Sequence, residues 1–204
     1  MRNTNTVLFR LRNDDSTFFN MFGDYTYLTE GYYRSIDYEL AHIKIKPSIE
    51  EALDAYIVPL AMQKAQLANI KTPEYEIITE KICPPVLAYP INPFTSKFEL
   101  VSTKDDIVGK LKTLTMNGKY ATLCQKLPDD YRIDIIRCIL GKNLILEYSE
   151  FAMAIFQVFA VPLMKIRVIV TANNYLFSAI EPLLFEELTL KEKKIIEESG
   201  TWQK

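Results

Sequence analysis

The sequence contains one histidine, His42, and three cysteines, Cys83, Cys124 and Cys138. A thiol beside an imidazole can act as a nucleophile with its general base, so Cys124 or Cys138 can be paired with His42 as a catalytic couple. No motif or spacing supports that couple. His42 ends a predicted helix, where a cation meets the negative end of the helix dipole, and this structural role is favoured. Three widely spaced cysteines indicate reduced thiols rather than a disulfide framework or a zinc site.

Tyrosines offer a second kind of site, because their rings can stack on a ligand. Five of them lie between Gly23 and Pro47, namely Tyr25, Tyr27, Tyr32, Tyr33 and Tyr38. Tyr32 and Tyr33 fall at the start of a predicted helix and, together with His42, form a candidate ligand or partner surface. The alternative is that tyrosines at apolar spacing belong to a half-buried core.

The proline-rich stretch from Cys83 to Phe94 is a third candidate. Its four prolines exclude a regular helix and predict a strand over 86–89, followed by a stiff, extended loop. Loops held on rigid scaffolds often carry function, so Tyr89, Asn92 and Phe94 are candidate partner contacts. The alternative is a loop that only connects two elements, with both rings turned inward.

Lys165 and Arg167 alternate with apolar residues in a predicted strand, so both side chains should lie on one face of a hairpin. Charges on a sheet face are usually solvated, and docking against an acidic partner is the alternative interpretation. These two residues complete the candidate partner surface.

Composition limits the class of protein. The net charge is −2, with 49% hydrophobic and 25% charged residues, as in an ordinary soluble globular domain. This charge predicts no nucleic-acid partner, and the lack of an apolar run of about 18 residues predicts no membrane span. The N-terminus lacks the apolar core of a signal peptide, which favours a cytoplasmic location.

The sequence shows no motif for binding a nucleotide or a metal ion. No two of its six glycines lie within two residues of each other, so no phosphate-cradling loop is visible. A single histidine with no cysteine nearby in the sequence excludes a metal site built from a His/Cys cluster. We therefore predict no catalytic, cofactor-binding or metal-binding residue in this chain.

Hydrophobic periodicity predicts an α+β domain, a mixed β-sheet with helices packed on it and a C-terminal hairpin plus helix. Thr29 is a predicted N-cap, and the helix that follows should bury the stripe formed by Tyr33, Ile36, Leu40 and Ile43. Capping boxes are predicted at Ser48 and Thr189, with a break at Pro59. Strands are predicted at residues 7–11, 43–46, 75–78, 86–89, 119–124, 131–140, 163–170 and 175–180. Because the strand at 131–140 is apolar on both faces, it should lie well inside the sheet.

A family resemblance is carried by the stretch TYLTEGYYRSIDYELAHIKIKPSI. Its Leu28–Tyr33 run, Ser35 and the pair Pro47-Ser48 resemble the opening of the domain that precedes the ATP-grasp module in RimK-like ligases. The second half continues the resemblance through Tyr131–Asp134, Gly141–Asn143, Tyr148, Ala152, Ile155-Phe156, Phe159 and Pro162-Leu163. The match extends from about Tyr25 to Glu192.

The resemblance implies an α+β module occupying residues 1–204 as a single domain. It further implies a non-catalytic accessory or substrate-positioning role beside an ATP-grasp carboxylate–amine ligase. The expected partners are a ligase module, in cis or in trans, and a peptide or protein substrate. ATP and Mg²⁺ are expected only in that associated module. The alternatives are a free-standing binding or regulatory protein that kept the fold, and, less favoured, a small enzyme that uses Cys124 or His42.

Overall fold

The computed structural model describes residues 7–14, 16–91, 98–103 and 107–203. The described helices are α1 Glu30–Leu40, α2 Ile49–Tyr56, α3 Val58–Leu67, α4 Ile107–Leu114, α5 Ser149–Phe159 and α6 Leu190–Ser199. The described strands are β1 Leu8–Leu11, β2 Phe18–Asn20, β3 Ile45–Lys46, β4 Tyr75–Ile78, β5 Val86–Pro90, β6 Glu99–Val101, β7 Thr122–Lys126, β8 Arg132–Ile139, β9 Leu163–Val170, β10 Tyr175–Pro182 and β11 Gly200–Trp202. The predicted α+β class is confirmed.

The chain forms two compact units, which we describe one at a time. Unit 1 comprises residues 1–55, 135–166 and 180–204, and unit 2 comprises residues 56–134 and 167–179. The assignment of residues 1–204 to a single domain stays a prediction. No helix in the described ranges has both the length and the hydropathy of a membrane span.

Helix α1 begins where its sequence predicts, but it buries a different face. The Thr29 hydroxyl accepts a hydrogen bond from the Tyr32 amide, which confirms the N-cap. The predicted stripe is wrong at Tyr33 and Leu40, because both side chains are exposed. Gly31, Tyr32 and Ser35 are the buried residues of this helix instead.

A buried asparagine explains which face of α1 turns inward. The side-chain amide of Asn20, on β2, is fully buried and donates to Gly31 O (2.9 Å) and to Ser35 Oγ (3.1 Å). A buried amide needs such partners, and only small residues let the helix backbone approach closely enough to supply them. Hydrophobic spacing carries no information about this requirement.

This correction gives a testable result. Replacing Leu40, which is 74% exposed, with alanine should change the free energy of unfolding by less than about 0.5 kcal/mol. Urea denaturation monitored by circular dichroism measures the change. A loss of about 2 kcal/mol or more, as expected for a core leucine, would contradict the exposed position.

The other helix boundaries agree with local signals. The Ser48 and Glu51 side chains exchange hydrogen bonds with each other's backbone amides, at 3.1 and 2.8 Å, so the predicted capping box is confirmed. Pro59 follows the break between α2 and α3 at Ile57. The capping box of Thr189 and Glu192 at the start of α6 is also confirmed.

In unit 1, a four-stranded sheet has the order β11-β1-β2-β3. The C-terminal strand β11 pairs antiparallel with β1, and the sequence did not predict it. The core of this unit is apolar and contains Phe9, Phe19, Met21, Ile139, Leu140, Leu163, Leu183, Leu188 and Ile196.

In unit 2, a four-stranded sheet has the order β4-β7-β5-β6, and its neighbouring strands run antiparallel. One face carries Val86, Ala88, Val101 and Cys124, which pack with Leu114 of α4. Tyr89 and Gln125 lie on the opposite face, because side chains alternate along a strand.

A third sheet has the order β10-β9-β8. The predicted hairpin of β9 and β10 is confirmed, and its turn is closed by the Thr171 amide donating to Asn174 O (3.0 Å). The prediction that the strand at 131–140 lies well inside a sheet is wrong. Among the described strands, β8 is the end strand of this sheet. Ile135 is correspondingly exposed. Apolar residues on both faces show that a strand is covered, not that it has a neighbour on each side.

Candidate functional site

A polar cluster lies inside unit 2, formed by Tyr89, Gln125, Arg167 and Ser178. Each side chain comes from a different strand: β5, β7, β9 and β10, respectively. All four residues are buried. β5 and β7 belong to one sheet, and β9 and β10 to another. Buried polar side chains on several strands need hydrogen-bond partners, which they find here in one another.

Hydrogen bonds join the neutral members in a chain. Ser178 Oγ donates to Gln125 Oε1 (2.6 Å), so the Tyr89 hydroxyl is the donor in its 2.7 Å contact with Ser178 Oγ. Gln125 Nε2 donates to the Ser178 carbonyl oxygen (2.8 Å). These contacts therefore define which of the three side chains donates and which accepts in each hydrogen bond.

Arg167 brings a positive charge into this cluster. Its Nη1 donates to the Tyr89 hydroxyl oxygen (3.1 Å), and its guanidinium carbon lies 3.6 Å from the centre of the Phe98 ring. Only 2% of the residue is exposed. A guanidinium stays charged at neutral pH, and an aromatic face with a hydroxyl acceptor stabilises it. The cluster can therefore attract an anion and would repel a metal cation.

Two of the predicted partner residues are buried. Arg167 is corrected from a surface to a buried residue, and Tyr89 follows the alternative in which its ring turns inward, because the two bond to each other within unit 2. Asn92 and Phe94 lie outside the described residues. In unit 1, Lys165 Nζ lies 2.6 Å from a Glu187 carboxylate oxygen, so its charge is already neutralised within the fold.

The sequence analysis missed Gln125, Ser178 and Phe98. A signal was present for Ser178, a polar residue between Phe177 and Ala179 inside a predicted strand, but not for Gln125, which lies between Cys124 and Lys126. Nothing in the pattern indicated that the two would bond to each other, because they are far apart in the chain and on different strands.

Tyr32 and Tyr33 do come together, in a tyrosine cluster with Tyr27 in unit 1. Tyr32 lies edge-on to Tyr27 and Tyr33, with ring centres 5.5 and 5.9 Å apart. Tyr32 is buried, and this burial, with the nearby Tyr27, raises the pKa of its phenol. Tyr27 and Tyr33 are exposed. His42 is exposed after the end of α1, with a left-handed backbone (φ 58°).

The two buried cysteines do not have the properties of nucleophiles. Burial raises the pKa of both Cys124 and Cys138 to about 12, and all three cysteines of the chain are free. A thiol with such a pKa is protonated at neutral pH, whereas the thiolate is the reactive form. Among the described residues, no group of three His, Cys, Asp or Glu side chains could hold a metal ion.

Charged groups in unit 1 form a structural network around Glu192. Arg137 Nε and Nη2 donate to the two Glu192 carboxylate oxygens, at 2.6 and 3.0 Å. Burial alone would raise the pKa of Glu192, but the hydrogen bonds from Arg137 and Thr189 outweigh it and hold the pKa below its ordinary value. This network joins β8 to the start of α6.

Comparisons with known proteins agree with the fold. A model of the RimK-like ATP-grasp N-terminal domain matches residues 10–199. No curated protein sequence matched the chain.

Solved structures with a similar fold include ATP-grasp proteins. A RimK domain ATP-grasp protein from Sphaerobacter thermophilus is 12% identical, with a TM-score of 0.62, and the match covers 91% of this chain and 78% of that one. D-alanine–D-alanine ligase from Helicobacter pylori is 14% identical, with a TM-score of 0.61 and coverages of 80% and 66%. The same ligase from Bacillus anthracis is 11% identical, with a TM-score of 0.58 and coverages of 81% and 73%.

The identities to the solved structures establish similarity of fold only, and this chain spans slightly less than two thirds of the Helicobacter pylori enzyme. The family model is the more specific finding, because it covers nearly the whole chain. It also matches the stretch on which the resemblance of the sequence rests. The chain therefore belongs to the family of RimK-like ATP-grasp N-terminal domains.

Proposed function

We propose that this chain is a non-catalytic accessory module of a RimK-like ATP-grasp ligase system. It positions the ligase module, or the peptide or protein substrate of that module, for the joining of a carboxylate to an amine. The ligase module acts in cis or in trans and supplies the sites for ATP and Mg²⁺.

The observation that carries this proposal is the composition of the polar cluster in unit 2. Its four members are a guanidinium, a phenol, a hydroxyl and an amide. Mg²⁺ at a nucleotide site is usually held by one or two carboxylates together with the phosphates. A buried guanidinium would oppose a divalent cation, so this cluster does not suit a Mg²⁺ site, and its members, bonded to one another, suit support of the fold.

We expect the purified chain not to bind Mg-ATP. Isothermal titration calorimetry is the measurement, and the expected result is no saturable heat. Saturable binding tighter than about 100 μM, which corresponds to about 5.5 kcal/mol, would contradict the proposal. The same titration with the ligase module provides the positive control.

The accessory role is tested by reconstitution. The ligase module is an ATP-grasp module encoded with this chain or by a neighbouring reading frame. Its release of ADP in the presence of substrate is then measured with and without this chain. The proposed role predicts that the chain lowers KM for the substrate or raises kcat, while the chain alone releases no ADP.

The control in this assay is a chain with an altered fold. The heat-denatured chain, which keeps the sequence but not the fold, should give no stimulation. If no adjacent ATP-grasp frame exists and no ligase module responds to the chain, the accessory role is wrong. A free-standing binding protein that kept the fold is then the better interpretation.

A further inference from the structure

The turn between α4 and β7, in unit 2, contains the pair Asn117-Gly118. No other asparagine in the sequence is followed by a glycine. Both residues are exposed, and both have left-handed backbones, with φ angles of 60° and 83°. A Cβ atom added to Gly118 would meet no atom within 4 Å. Water therefore reaches the side chain of Asn117 and the peptide bond that follows it.

An asparagine followed by a glycine carries its own nucleophile. When the glycine amide nitrogen loses its proton to hydroxide, it can attack the side-chain carbonyl carbon of the asparagine and close a succinimide ring. The new C–N bond replaces the bond from that carbon to Nδ2, and the side-chain nitrogen leaves as ammonia. Water then opens the ring to aspartate or to isoaspartate. Glycine favours this ring closure, because it has no side chain and its backbone rotates freely.

Asn69 provides a matched comparison within the same unit. It follows α3, is exposed and has the same left-handed φ angle of 60°. The next residue is Ile70, and its amide donates to the Ala65 carbonyl oxygen (2.9 Å). A β-branched side chain restricts the backbone and crowds the approach to its own amide nitrogen. The two turns therefore differ in the residue that supplies the nucleophile.

One hydrogen bond opposes ring closure at Asn117. The Gly118 amide donates to Thr115 Oγ1 (2.9 Å), and this hydroxyl donates to the Leu111 carbonyl oxygen (2.7 Å). Thr115 is only 2% exposed, so the fold holds the acceptor in place. The Gly118 nitrogen has to give up this bond before it can attack, and the Thr115 hydroxyl therefore slows the reaction.

We propose that Asn117 is a site of spontaneous deamidation and that the Thr115 hydroxyl sets its rate. The reaction consumes a water molecule for each ammonia that it releases. Aspartate at this position places a negative charge after the C-terminal end of α4, where the helix dipole disfavours it. Isoaspartate adds a methylene group to the backbone of the turn, in which the Tyr120 amide donates to the Thr115 carbonyl oxygen (2.9 Å). Both products should weaken the connection between α4 and β7.

The proposal does not depend on the accessory role, because it concerns residues outside the polar cluster and needs no ligase. To test it, the purified full chain is incubated at neutral and at mildly alkaline pH and is then digested with trypsin. Cleavage after lysine places Asn117 and Asn69 on different peptides. Mass spectrometry after chromatographic separation measures the conversion of each amide to the acid and distinguishes aspartate from isoaspartate. A sample digested without incubation corrects for deamidation during the digest.

We expect the Asn117 peptide to deamidate and to give both products, while the Asn69 peptide stays unchanged over the same period. The rate at Asn117 should rise with pH, because hydroxide generates the nucleophile. The proposed site is overturned if Asn117 in the folded wild type deamidates no faster than Asn69. It is also overturned if the rate does not increase at alkaline pH.

Two variants test the role of the hydroxyl. Thr115→Val keeps the shape of the side chain but removes the acceptor, so Asn117 should deamidate about fivefold faster, as expected for the loss of a hydrogen bond. Thr113→Val is the matched control, because the Thr113 hydroxyl bonds to the Gly109 carbonyl oxygen (3.2 Å) and not to Gly118. Circular dichroism shows that both variants are folded during the incubation. Equal rates in the two variants would overturn the role of Thr115, and the comparison of Asn117 with Asn69 in the wild type requires neither variant.

Discussion

Replacing Gly31 with alanine should lower the free energy of unfolding by about 3 kcal/mol. A Cβ atom at Gly31 would lie 2.0 Å from the backbone oxygen of Asp24 and 2.9 Å from the Phe22 ring. Backbone atoms cannot move aside as the end of a flexible side chain can, so the start of α1 would have to separate from the preceding loop. Chemical denaturation monitored by circular dichroism measures the loss.

The close approach at Gly31 is held by several hydrogen bonds. The Thr29 hydroxyl contacts the carbonyl oxygens of Asp24 (3.0 Å) and Thr26 (2.7 Å), and the Gly31 carbonyl accepts from Asn20 Nδ2 (2.9 Å). Shifting the helix would therefore leave buried polar groups without partners, which adds to the cost of the clash.

Gly109→Ala is the matched control, because both glycines are helical but only Gly31 is crowded. We expect the control to stabilise the chain by about 0.5–1 kcal/mol. If Gly31→Ala and Gly109→Ala melted at the same temperature, the close backbone contact at α1 would be wrong.

Replacing Glu192 with alanine should lower the free energy of unfolding by about 2–3 kcal/mol, near the lower end for breaking a buried ion pair. The Glu192 side chain is 3% exposed and that of Arg137 is 32% exposed. Water can therefore partly solvate the charge of Arg137 but not that of Glu192. The same substitution removes the capping box at Thr189, because Glu192 accepts from the Thr189 amide at 2.8 Å.

Glu198→Ala is the control for this second prediction. Glu198 pairs with Lys194 at 3.8 Å, and both side chains are mostly exposed. A pair of this kind contributes about 0–1 kcal/mol. Equal losses for Glu192→Ala and Glu198→Ala would show that burial does not strengthen the Arg137 pair.

The pH dependence of this pair has a definite sign. The pKa of Glu192 is lowered in the folded state, so its contribution is present above the pKa of the unfolded chain and is lost as the pH falls through the folded pKa. The difference in stability between the wild type and Glu192→Ala should be full above about pH 5 and should shrink below about pH 4. A difference that grew on acidification would contradict this assignment.

Local signals in the sequence determined the element boundaries that depend on neighbouring residues. Thr29, Ser48 and Thr189 cap their helices as predicted, because a cap needs only its own turn of backbone. The break before Pro59 follows from the missing amide hydrogen of proline. The family was visible for the same reason, since the residues around Gly31 form a continuous run.

Contacts between residues far apart in the sequence are visible only in the tertiary structure. Asn20, and not the apolar stripe, selects the buried face of α1, because its amide requires partners on that helix. Strand β11 exists because β1 offers it an edge, and no residue between Gly200 and Trp202 encodes that neighbour.

The same limit applies to the candidate site. The sequence left Tyr89 open as a partner contact or an inward-turned ring and placed Arg167 on a hairpin face, because alternation along a strand shows which residues share a face but not what covers that face. Only the fold places Ser178, Gln125 and Phe98 against them. A hydrogen-bonded cluster is a property of side chains that meet in space, so the positions of its members in the chain do not reveal it.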